Sequence, residues 1–70
     1  MTQYLVIVEQ GKDGGWGAYA PDLPGLGVSA DTREEVERLI NEGVRVYLDE
    51  LRQEGLPVPA PTTMAKLVAA

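Results

Sequence analysis

Between Thr32 and Gly55 the chain carries one uninterrupted helical period, and that element dictates what the remaining residues must build. Val36, Leu39, Ile40, Gly43, Val44, Tyr47, Leu48 and Leu51 recur at spacings of three and four, which gathers them into one apolar stripe. Arg33, Glu34, Glu37, Arg38, Asn41, Glu42, Arg45, Asp49 and Arg52 cover the opposite side. Thr32 followed three residues later by Glu35 is a capping-box start. Gly55 and then Pro57 form a stop, since glycine takes the terminal left-handed turn and proline cannot continue a helix. The spacing predicts a helix over Arg33–Glu54, about six turns. Glu34 and Arg38 are placed for an i,i+4 ion pair of about 0.2–0.5 kcal/mol. A single striped helix has no second helix to pack on, so its apolar side needs a sheet.

The residues ahead of it supply one. Tyr4-Leu5-Val6-Ile7-Val8 is a compact, largely β-branched run that predicts a strand over Thr2–Glu9. Gln10-Gly11-Lys12-Asp13-Gly14-Gly15 is rich in turn formers and closes a hairpin onto Trp16–Ala20. In that second strand Trp16, Ala18 and Ala20 face one way, and Gly17 and Tyr19 the other. Pro21 and Pro24 end it, because proline cannot donate to a ladder. Gly25–Ala30 makes a short third strand. Beyond the helix, Leu56-Pro57-Val58-Pro59-Ala60-Pro61 is extended and stiff. Thr62–Val68 then reads as a fourth strand with Met64, Lys66 and Val68 on one side, a short amphipathic helix being the alternative. The order β-β-β-α-β is an α+β fold: one domain over residues 1–70, a small antiparallel sheet with a long helix on one face.

Composition narrows the chemistry. Seventy residues bury only about 60% of their unfolded surface, and domains this small lean on disulfides, metals or association. The chain has no Cys and no His, which removes disulfides, thiolate metal sites and the commonest general base. Self-association into a dimer or tetramer is the remaining support. A net charge of −5 speaks against direct nucleic-acid binding, which needs a basic stripe to exchange for counterions. Of six cationic side chains, Arg33, Arg38, Arg45 and Arg52 lie in the predicted helix among acids, leaving Lys12 and Lys66. The same acidity suits a basic protein partner. No signal peptide and no membrane-spanning run is read in the sequence, so a cytoplasmic location is the default.

Neither a catalytic nor a cofactor site is expected. Metal-dependent hydrolysis needs converging carboxylates, and Glu9, Asp22 and Asp31 each have a plainer role as strand end, turn former and helix-start acid. Ser29 and Thr32 lack a His partner for nucleophilic work, and Lys12 and Lys66 lack a desolvating pocket. Gly11–Gly15 joins two strands and feeds no helix N-terminus, so it is no phosphate cradle. No metal ligand set is assigned. The aromatic residues carry more. Trp16 and Tyr19 project from opposite sides of one strand, and one helix covers only one side of a sheet. One ring is core; the other meets solvent or a partner. Trp16, Tyr19, Asp22 and Leu23 are the expected partner-binding residues, with Pro21 and Pro24 stiffening the turn that presents them.

These features also occur in a recognisable order. The opening strand Tyr4–Glu9, the segment Trp16-Gly17-Ala18-Tyr19-Ala20-Pro21-Asp22-Leu23-Pro24-Gly25, the helix start Asp31-Thr32-Arg33-Glu34-Glu35-Val36 and the closing Gly55-Leu56-Pro57-Val58-Pro59 together resemble the HicB-like antitoxins of HicA–HicB toxin–antitoxin pairs. The resemblance implies a domain like a truncated ribonuclease H fold without its catalytic acids. It implies a non-enzymatic protein that binds and inhibits a small basic RNA-cleaving HicA-type toxin. Larger members of that family add a helix-turn-helix or ribbon-helix-helix module, and these residues contain neither, so operator binding is not expected. The alternative reading is a self-assembling structural domain of the same family with no toxin partner.

Overall fold

The computed structural model describes residues 2–70. Three strands, β1 (Ile7–Gln10), β2 (Trp16–Tyr19) and β3 (Gly27–Ala30), precede one helix, α1 (Arg33–Gln53). The sheet is antiparallel in the order β1-β2-β3. Val8 and Val28 flank Ala18 in register. This is the expected α+β meander with one helix on one face. The ladder is shorter than the apolar runs suggest. Ala20 and Pro21 end β2, so residues 2–6 run on without a partner to pair with.

Alternation decides the core. Val8, Trp16, Ala18, Val28 and Ala30 face α1, where Val36 and Ile40 are fully buried against them and Val44 and Val6 extend the cluster. Ile7, Glu9, Gly17, Tyr19, Gly27 and Ser29 lie on the opposite, open face. At Gly43 an added Cβ would sit 3.0 Å from Leu26 Cδ1 and 4.0 Å from Val28 Cγ1, so the missing side chain sets how closely α1 approaches β3. The helix lies chiefly over β3 and β2, and least over β1.

Both helix ends are built as the sequence demands. Thr32 is extended and its Oγ1 accepts from the Glu35 amide at 3.2 Å. The return arm of the capping box is diverted: the Glu35 carboxylate accepts from Arg38 Nη2 at 2.6 Å. Arg38 therefore pairs with Glu35 and Glu42, not with Glu34. At the other end Glu54 caps the helix, and the Leu56 and Gly55 amides donate to Leu51 and Arg52 carbonyls at 2.9 and 3.1 Å. That Schellman arrangement needs a left-handed residue, supplied by Gly55 at φ +70°.

The fourth strand does not form: residues 56–70 carry neither ladder nor helix. Three prolines in the approach withhold amide donors, and the amides of Thr62 and Thr63, where pairing would begin, are committed to a side chain elsewhere. Met64, Leu67 and Val68 are left 86%, 98% and 78% exposed.

Candidate functional site

The corner that follows β2 joins three parts of the molecule. Two successive turns shape it, Leu23 N–H donating to Ala20 O at 3.0 Å and Leu26 N–H to Leu23 O at 3.2 Å. Gly25, at φ +84°, takes the left-handed step that returns the chain into β3. Leu23 has no exposed surface at all. From outside, the Tyr47 hydroxyl donates to Pro24 O at 2.9 Å and ties the corner to α1.

Asp22 ties it to the segment after the helix. Its Oδ2 accepts from the Thr62 and Thr63 amides, both at 2.9 Å, and its Oδ1 from the two threonine hydroxyls at 3.1 and 2.7 Å. Four donors on one carboxylate favour its charged form, and the bonds from Thr63, the largest influence, hold Asp22 below the ordinary aspartate value. One further bond, from the Tyr4 hydroxyl to Pro59 O, fixes the same segment beside the approach to β1. Residues 59–63 thus cross the end of the sheet from the β1 side to the β2 side.

The four expected partner-binding residues take up different positions. Tyr19 stands on the open face, 44% exposed. Trp16 lies on the helix-covered face, half-buried, where it lines an open groove with Asp13, Asp31, Glu35 and Leu39. Asp22 spends its carboxylate inward on Thr62 and Thr63. Leu23, expected to offer apolar contact, is buried and fills the corner from within. Thr62, Thr63 and Tyr47 belong to this corner and were not singled out from the sequence. No local signal marks a threonine pair that bonds 40 residues back.

The charge distribution leaves acids outward. Arg33, Arg38 and Arg52 are engaged along α1 by Glu37, by Glu35 with Glu42, and by Asp49. These pairs are exposed and contribute little stability each. Among the described residues no three acidic side chains converge as a metal-binding group, and no helix is long and apolar enough to cross a membrane. The corner is built to hold its own chain together. Around it lie a ring on the open sheet face and a groove that sets an indole beside Asp13, Asp31 and Glu35.

Comparison with known proteins gives a consistent picture. A family model described as the HicB-like antitoxin of bacterial toxin–antitoxin systems matches residues 4–70. The UPF0150 protein ssr1765 of Synechocystis is 36% identical over 63 residues, spanning 90% of this chain and 80% of its own length. The UPF0150 protein Ta0767 of Thermoplasma acidophilum is 30% identical over 57 residues, 81% of this chain and 83% of its own. No solved structure matches the chain.

Proposed function

The chain belongs to the HicB-like antitoxins of bacterial toxin–antitoxin systems, and from that premise we propose that it neutralises a small, basic, RNA-cleaving HicA-type toxin by direct protein–protein contact. The match of the antitoxin family over residues 4–70 carries this reading. A net charge of −5, with much of the helix's positive charge already paired, supports attraction to a cationic partner. The protein acts without catalysis, cofactor or nucleic-acid contact of its own, in the cytoplasm where such a toxin meets RNA, and as a homo-oligomer. Tyr19 is the anchor of the contact on the open face, and Trp16 with its acidic groove offers a cation–π and charge contact at the opposite edge. Asp22 supports this surface by holding the corner in shape.

Co-expression with the protein encoded beside it, followed by purification of the complex and an RNA-cleavage assay, tests the proposal. A stable complex with cleavage suppressed is expected, and Tyr19→Ala is expected to weaken it at least tenfold, about 1.4 kcal/mol. A folded chain that neither binds nor inhibits sinks the toxin reading. It would favour the second reading, a self-assembling domain with no toxin, which takes support from the exposed apolar segment after Thr63.

A further inference from the structure

The molecule exposes more surface than its mass warrants. A compact 7.6 kDa monomer exposes about 4,300 Å². This chain exposes 5486 Å². Its radius of gyration is 13.4 Å, against about 11 Å for a compact chain of this length. The surplus, roughly 1,200 Å², exceeds the ~800 Å² that a stable interface takes from each partner. Two features of the molecule suit such an interface. One is the segment 64–70, whose Met64, Leu67 and Val68 touch almost nothing. The other is the side of the molecule along β1. There the ladder has an unpaired edge, and α1, about 31 Å long over strands of about 13 Å, overhangs it. Between edge and overhang runs a groove of about 440 Å³, lined by Val6, Val44, Leu48 and Val58 with Arg45 and Arg52 at its rim.

We infer that segment 64–70 of one chain adds as a fourth strand to the β1 edge of a second copy, and that the exchange is reciprocal. The fit is one of pattern and charge. The run that would pair is Tyr4–Gln10, and the segment that would meet it begins at Met64. Glu9 is the only charge on that run, and Lys66 the only charge on the segment. Glu9 lies on the open face. Placing Lys66 beside it puts Met64 and Val68 on that face as well, one of them next to Ile7. It turns Leu67, between the small Ala65 and Ala69, into the groove over Val44 and Leu48. The edge supplies the main-chain bonds that a solitary strand lacks.

The chain's own segment is led away from its own edge. It leaves Pro59 beside Tyr4 and is clasped three residues later at Asp22, past the end of β2. A second copy has no such constraint, and two chains each with one free segment and one free edge close a two-fold dimer. This assignment goes beyond the toxin reading and is tested without a toxin.

Light scattering on the full chain at micromolar concentration is expected to return twice the 7.6 kDa chain mass. Leu67→Lys touches nothing within one chain but would set a charge against Arg45 and Arg52. It is expected to raise the dimer dissociation constant at least tenfold while the circular dichroism spectrum is unchanged. Glu9→Lys and Lys66→Glu are each expected to weaken the homodimer. Mixed in equal amounts they are expected to associate preferentially with each other, because both exchanged contacts then join opposite charges. A monomer mass at every concentration overturns the proposal, whether the segment hangs free or folds onto its own edge. So does a dimer indifferent to Leu67→Lys and to the charge mixture, which would assign the interface to the open sheet face.

Discussion

Leu23→Ala tests whether the corner after β2 is an internal joint or a surface feature. The side chain is 0% exposed and sits between the two turns that shape residues 20–26. Truncation removes three carbon groups from the interior, about 2.4 kcal/mol at ~0.8 kcal/mol each. The partly relaxed cavity raises the expectation to about 3 kcal/mol, inside the usual 2–5 kcal/mol for buried Leu→Ala changes. A 70-residue domain has a total stability of roughly 4–10 kcal/mol. The substitution thus consumes a large part of it and should lower the melting temperature by about 12–24 °C at 4–8 °C per kcal/mol. The assay is thermal and urea unfolding followed by circular dichroism, at one protein concentration because association shifts apparent stability. Tyr19→Ala, at 44% exposure on the open face, serves as the contrast and should move the midpoint little. A Leu23→Ala protein that melts within about 4 °C of wild type, less than 1 kcal/mol, would refute the burial on which this account of the corner rests.

Three further outcomes follow from the local geometry. Thr32→Ala should lower stability by about 0.5–2 kcal/mol in urea unfolding, and Thr32→Asp should restore most of it, since the Glu35 amide again finds a cap oxygen. Asp22 is held below the ordinary aspartate value in the folded chain, so its clasp stabilises above the unfolded value near 4 and is lost as pH falls through the folded one; the Thr62 and Thr63 amide resonances should shift across that acid window in wild type and show no such step in Asp22→Asn. Gly43→Val should destabilise by about 1–3 kcal/mol by forcing α1 off Leu26 and Val28, read as a lower urea midpoint.

What the sequence disclosed and what it hid divide along the range of the interactions. The start of α1 at Thr32 and its stop at Gly55 are fixed within a few residues on either side, and both appear as read. The division of Trp16 and Tyr19 between two faces follows from alternation alone. Arg38 shows a finer limit. Glu34, Glu35 and Glu42 all lie within helical reach, and spacing alone does not choose among them. Asp22 shows the larger one. Its partners are 40 and 41 residues away, and neither proline spacing nor turn chemistry encodes which donors will meet that carboxylate. The fourth strand failed for a related reason. Propensity reports that residues 62–68 are comfortable extended, but it does not report whether a ladder edge is within reach. Here the clasp at Asp22 decides that it is not.

That clasp also sets how two associations share one small sheet. The proposed strand exchange occupies the β1 edge and the groove beneath it, whereas Tyr19 presents the open face one strand away. The surfaces adjoin without coinciding. In the exchanged arrangement Met64 and Val68 of a second copy extend the open face along β1, where Ile7 is paired directly with Tyr19. An apolar patch that is narrow in one chain becomes broader in two. If a toxin lies on that face, it meets more apolar surface on the dimer than on the monomer. Thermodynamic reciprocity then requires that toxin binding tighten the dimer by the same factor by which dimerisation tightens toxin binding. The coupling runs through contact area on one continuous sheet and needs no change of shape in either chain.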